Sequence, residues 1–225
     1  MTTTRHVAQI VLVLAVVLSA IATIAGAQST PRVVKRISSR PIEQAIQTGD
    51  TAITVIDTSD PANPVFPGPG ESLLAWSCGL SNAVVVMNTV AVQATLTPSH
   101  DWITTTYTAS VEQVVWPSGG IDWLPTGQQF SFAQGGGTLQ IGSTLVTAKK
   151  PELRTLDVGK RYLTFLSLNS ATHAVNIARR WTYWIGEDGS LHRYSAEGAT
   201  ATPAEDDMEG RQLNEILAAI PLVCS

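Results

Sequence analysis

Ile103-Thr104-Thr105-Thr106-Tyr107-Thr108-Ala109-Ser110-Val111 alternates over its whole length. Ile103, Thr105, Tyr107, Ala109 and Val111 fall on one face, and Thr104, Thr106, Thr108 and Ser110 on the other, with Glu112 continuing the second set. Because side chains of an extended strand point to opposite faces in turn, period two predicts a half-buried strand. The β-branched residues favour the same conformation.

Outward from this stretch the pattern repeats. Ala83 to Val92 is apolar and β-branched, and Arg161 to Leu168 is apolar on both faces, which predicts a central strand. Phe130 to Phe132 and Leu139 to Val146 flank Gly135, Gly136 and Gly137, where a turn or bulged hairpin is expected. Val175 to Ile185 and Leu191 to Tyr194 read as strands joined at Glu187-Asp188-Gly189-Ser190, whose Asp-Gly suits a tight hairpin. Leu213, Ile216, Leu217 and Ile220 recur at helical spacing, with Asp206, Asp207 and Glu209 at or before the start and Pro221 expected to end the helix. The chain is therefore expected to be mainly β and antiparallel, with a C-terminal α-helix.

The N-terminal part reads differently. Arg5 precedes an apolar run from Val7 to Ile24 and then Ala25-Gly26-Ala27, the pattern of a secretory signal peptide over residues 1–27. A retained membrane anchor is the alternative, since the run is barely long enough to span a bilayer. Residues 28–72 are expected as an N-terminal extension: a basic lead with Arg32, Lys35, Arg36 and Arg40, a short helix from Ile42 to Gln47, a strand from Ala52 to Ile56, and a linker holding Pro61, Pro64, Pro67 and Pro69. Residues 73–225 form the main domain.

The chain has 14 Lys and Arg against 18 Asp and Glu, a net charge of −4, and no Lys or Arg between Arg40 and Lys149. That balance argues against a general polyanion binder, and the expected secretion argues against a nucleic-acid partner for the basic residues from Lys149 to Arg193. The two cysteines, Cys78 and Cys224, lack metal-ligand spacing, and in an oxidising compartment they are expected to form one disulfide. The expected location is secreted or periplasmic, with membrane contact only in transit through the signal peptide.

Cys78 ahead of the apolar strand, Val111-Glu112-Gln113-Val114-Val115, the glycines at 135–137, and Gly159-Lys160-Arg161-Tyr162-Leu163-Thr164-Phe165-Leu166 before the Asp-Gly hairpin and last helix occur in a characteristic order. In that order residues 78–220 resemble a loose group of uncharacterised secreted bacterial proteins. The layout also looks like the barrel of netrin-like modules and tissue inhibitors of metalloproteases. The resemblance implies an antiparallel OB-like β-barrel and supports fold rather than activity. Those inhibitors bind zinc through a cysteine at the mature N-terminus, where this chain is expected to begin with Gln28, so protease inhibition does not carry over.

No catalytic or metal motif stands out: His100, His173 and His192 lack ligand spacing, and there is neither a Gly-x-Ser-x-Gly elbow nor a phosphate loop. No cofactor is expected. The candidate binding residues are Trp181, Tyr183 and Trp184, with Arg179 and Arg180 beside them, an aromatic and basic edge suited to stacking on peptide or sugar. The expected function is noncatalytic binding of a protein or an envelope polymer. The alternative is an extracellular hydrolase whose carboxylates, such as Asp101, Glu112 and Asp122, come together from several strands.

Overall fold

The computed structural model describes residues 32–35, 41–57, 71–117, 124–150, 154–169, 171–172, 174–177, 182–194 and 206–224. Residues 1–27, expected as the signal peptide, and the proline-rich stretch 58–70 lie outside them.

The alternating stretch lies on β4 (Ile103–Pro117), paired antiparallel with β3 (Ala83–Leu96) from Ala83↔Pro117 to Leu96↔Ile103. On its far side β4 pairs with β5 (Gln129–Gly135). β8 (Arg161–Asn169) returns antiparallel to the first half of β3, with Ala83↔Leu166 and Asn88↔Arg161. β9 (Ala174–Ile177) and β10 (Tyr183–Ile185) then share the other edge of β8, at Leu166↔Ile177 and Leu163↔Tyr183, and β11 (Leu191–Arg193) closes the hairpin with β10. β8 is thus the central strand its two apolar faces predict.

This larger sheet curls until β9 comes alongside β5, running in the same direction but without ladder pairing. The described strands form no closed barrel. Inside the curl lie Met87, Tyr107, Ala109, Val111, Phe130, Phe132, Tyr162 and Leu166. The alternating face of β4 supplies Tyr107, Ala109 and Val111, as the period requires.

The outer face presents Val84, Val86, Leu163 and Phe165 to two helices, α2 (Leu73–Gly79) and α3 (Leu213–Val223). Ile216 and Ile220 bury the apolar stripe of α3 there, each contributing about 1.5–3 kcal/mol. The Cys78–Cys224 disulfide joins the ends of the two helices. α3 runs two residues past Pro221, because a proline in the last turn loses one N–H bond while the Cys224 N–H still reaches the Ile220 carbonyl at 2.8 Å. α2 was not legible in the sequence. Its first turn is held by Ser72 and by Asp207, far along the chain.

A second sheet, in the order β1-β2-β7-β6, joins the beginning of the chain to its middle. It comprises β1 (Arg32–Lys35), β2 (Ala52–Ile56), β6 (Gly137–Ile141) and β7 (Thr144–Lys149), with β1 and β7 both parallel to β2. α1 (Pro41–Thr48) connects β1 to β2 and buries Ile42 and Ala45 against Ile53, Val55, Val146 and the Ile103 end of β4.

Four expectations are corrected here. Part of the basic lead is a strand, because Val33 and Val34 pair with Thr54 and Val55. The glycines at 135–137 make a crossing between sheets rather than a hairpin, since β5 belongs to the larger sheet and β6 to the smaller. Leu139 to Val146 is two strands, broken at Gly142 with φ 59°. Val175 to Ile185 likewise divides into β9 and β10, because a three-residue shift separates their registers along β8.

Two substitutions test this architecture. Gly137 has φ 130° and its missing Cβ would strike the Thr105 hydroxyl, which donates to the Gly136 carbonyl at 2.6 Å. Gly137→Ala is therefore expected to cost about 1–3 kcal/mol in denaturant unfolding. Replacing both Cys78 and Cys224 by Ala is expected to cost about 2–5 kcal/mol, and alkylation of the native chain without reductant should add no mass.

Candidate functional site

A cluster of polar and titratable side chains lies on the β10–β11 hairpin. Its turn closes through Gly186 N–H to the Ser190 carbonyl at 2.8 Å and Gly189 N–H to the Gly186 carbonyl at 3.0 Å, with Gly189 at φ 82°. Asp188 Oδ1 accepts from the Ser190 hydroxyl at 2.6 Å and the Ser190 N–H at 3.0 Å. These two bonds, the hydroxyl first, hold the Asp188 carboxyl below the usual carboxylate range.

Ser190 Oγ also lies 2.7 Å from His192 Nε2, since residues two apart on a strand share a face. His192 Nδ1 is 3.6 Å from Glu209 Oε1, and the His192 ring stacks on Trp184 at 4.4 Å between centroids. Serine, histidine and glutamate therefore lie in the order of a nucleophile, its base and the base's orienting acid. The proton order opposes that role. Ionised Asp188 can only accept, so the Ser190 proton goes to it and His192 Nε2–H donates to Oγ. Space opposes it too, because Ser190 is buried, with 6% of its surface exposed.

The acidic run before α3 fastens the hairpin to the rest of the fold. Asp206 accepts from the Tyr183 hydroxyl at 2.9 and 3.1 Å and from the Met208 and Glu209 N–H groups at 3.1 Å, and pairs with Arg193 at 3.7 Å. Burial, and next the Asp206 charge, push the Tyr183 phenol far above its ordinary range. Asp207 accepts from the Ser72 hydroxyl and the Leu74 N–H, at the start of α2. Glu209 accepts from the Arg193 N–H.

A second feature is the seam where β5 passes β9. Phe132 and Gln134 face Ile177 across a cleft bounded by Arg154 and Tyr194, with about 10 Å³ of space, enough for roughly one water molecule. Gln134 Nε2 donates to the Arg154 carbonyl at 2.8 Å, and the Arg154 guanidinium lies 5.8 Å from the centre of the Tyr194 ring. Tyr194 meets Tyr162 edge-on at 5.3 Å, and burial raises the pKa of both phenols.

Of the candidate binding residues, Tyr183 is fully buried in the core beneath the helices, and Trp184, on the opposite face, is half-buried. Arg179, Arg180 and Trp181 lie outside the described residues, as do Asp122 and His173. The carboxylates considered for hydrolysis are engaged elsewhere: Asp101 accepts from Thr97 at 2.9 Å, and Glu112 pairs with Arg161 at 2.7 Å. Among the described residues no group of three His, Cys, Asp or Glu could hold a metal ion. Sequence reasoning missed the Ser190–His192 contact, although the spacing of two on a strand was a signal for it; the arrival of Glu209 left no local trace.

Tyr183→Phe removes one donor from Asp206 and is expected to cost about 1 kcal/mol, whereas Asp206→Ala takes the acceptor from the buried Tyr183 hydroxyl and from the Met208 and Glu209 N–H groups and should cost about 3 kcal/mol. Tyr162, Tyr183 and Tyr194 each have a folded pKa above the unfolded value, so their stabilisation is whole below about pH 10 and lost as pH rises above it. A spectrophotometric titration should show these phenols ionising only as the fold is lost. Compared with known proteins, the chain matches no family model, no curated protein and no solved structure.

Proposed function

We propose that this chain is a noncatalytic binding module of the extracytoplasmic space, built on an OB-like barrel, that holds a protein or an envelope polymer through its loops and the aromatic edge at Trp184. The observation that carries this reading is the commitment of the reactive side chains to the fold: the buried Ser190 hydroxyl gives its proton to Asp188, and Asp206 and Asp207 are consumed in bonding β10 and the first turn of α2. Trp184 and His192, by contrast, form a half-exposed aromatic pair beside the turn.

Strand connectivity supports the barrel reading. β3, β4 and β5 form a meander, β8 returns beside β3, and β9 lies between β8 and β5, parallel to β5. Such an order is the one expected of a five-stranded, partly open OB barrel. The disulfide suits an oxidising compartment, and no described helix is long and apolar enough to cross a membrane.

Reversible crosslinking of the oxidised chain, residues 28–225, in an envelope extract tests the reading. One dominant partner is expected to survive moderate salt and to be reduced at least about tenfold by Trp184→Ala, or by Arg179→Glu with Arg180→Glu, in variants that keep the native melting temperature. Undiminished capture by both variants would remove the site assignment.

A second hydrolase reading, serine-based rather than the carboxylate-based one expected from the sequence, draws on the Ser190–His192–Glu209 line. A fluorophosphonate probe labelling Ser190 in the native chain, with the label lost in His192→Ala, would establish it; an unlabelled chain supports binding without turnover.

A further inference from the structure

The edges of the larger sheet are treated unequally. β11 is covered on its outer side, where Leu191 N–H donates to the Arg211 carbonyl at 2.9 Å and the Leu191 carbonyl accepts from Gly210 N–H at 2.8 Å. β3 is covered by β8 only as far as Asn88, after which Thr89 bonds the Lys160 carbonyl at 3.2 Å and the Gly159 N–H at 2.8 Å. Beyond a bulge at Val90, β3 pairs with β4 alone.

The direction of the exposed backbone groups follows from the ladder. Ile103 and Val111 of β4 bond toward β5, through Gly136 N–H to the Ile103 carbonyl at 2.8 Å and Val111 N–H to the Gln128 carbonyl at 2.9 Å. Their β3 partners on alternate positions therefore aim the other way, so the N–H and C=O groups of Val92, Ala94 and Leu96 point off the sheet. Among the described residues these groups have no partner. Val90 and Val92 are 43% and 39% exposed, and the edge from Val90 to Leu96 has no charge and no proline, the usual protections of an open edge.

The sequence of that edge is self-complementary. Val92-Gln93-Ala94-Thr95-Leu96 reads apolar-polar-apolar-polar-apolar in either direction about Ala94. We propose that a second copy of this chain pairs with it antiparallel along residues 92–96, about a two-fold axis at Ala94, to give a dimer with one continuous sheet. Ala94 faces Ala94 of the other copy, Val92 faces Leu96, and Gln93 faces Thr95 on the polar side, where an amide and a hydroxyl can bond. The ladder ends where it must, because the chain turns at Thr97 on one side and meets Lys160 beyond Thr89 on the other. Five residues a side bury less than a standard interface, so the dimer is weak and concentration-dependent.

Sedimentation velocity of the oxidised chain, residues 28–225, over rising concentration tests this. The wild-type chain is expected to pass from monomer to dimer. Gln93→Lys with Thr95→Lys places like charges opposite each other twice and should raise the dissociation constant at least about tenfold. Gln93→Lys with Thr95→Glu places opposite charges in the same register and should restore the dimer. Both positions are exposed, and unchanged melting temperatures would show that the monomer fold is kept. A wild-type chain that stays monomeric would overturn the proposal, even if it captured an extended segment of another protein. Unaltered dimerisation of the Lys–Lys variant would overturn the interface, and failure of the Lys–Glu variant to recover would overturn the register.

Discussion

β3 is the strand on which the other parts of the structure depend. Its first half is hydrogen-bonded on both sides, to β4 and to β8, and covered on both faces. Met87 and Val85 point into the curl, while Val84 and Val86 point toward the helices. A strand in that position ties two cores to one backbone, so the curl and the helical layer cannot form independently. Three irregularities in the β3–β4 ladder, at Val84/Val85, Val86/Met87 and Thr89/Ala91, add twist where the sheet must bend to bring β9 round to β5.

The helical layer is held by polar contacts as well as by burial. Asp206 and Asp207 are neighbours in sequence and serve different elements, one bonding Tyr183 of β10 and the other the first turn of α2. Met208 is buried between the sheet and the helices, and Glu209 reaches back to β11. A four-residue acidic segment thus joins hairpin, helix and sheet before α3 begins, and the disulfide fastens the far end of α3. In this setting the Ser190–His192–Glu209 alignment has a structural explanation: each polar group on the hairpin is satisfied by a neighbour that is itself tied down. The Ser190 hydroxyl is buried and donates to Asp188 rather than to the histidine.

The sequence by itself determined the element types wherever one face is buried. Period two fixed the alternating part of β4, apolar residues on both faces identified β8 as central, and helical spacing from Leu213 to Ile220 identified α3. Those patterns are local consequences of side-chain geometry, so a single chain displays them. The two cysteines were legible as a pair for a similar reason, there being no alternative partner. Of the candidate binding residues, Tyr183 and Trp184 lie on β10, within the stretch expected as a strand, but which of its faces is core depends on where α3 packs.

Only the tertiary structure decided what depends on distant segments meeting. β1 has four residues and becomes a strand because β2 offers a parallel edge, a partner that its own sequence does not announce. The glycines at 135–137 are compatible with a hairpin or a crossing, and packing of β6 against β7 selects the crossing. α2 has seven residues, too few to be stable alone, and exists because Asp207 bonds its first turn and Cys78 anchors its end. Sequence periodicity reports burial of a face. It does not report which edge a strand will find, because backbone hydrogen bonds are the same for every residue and leave no mark on composition.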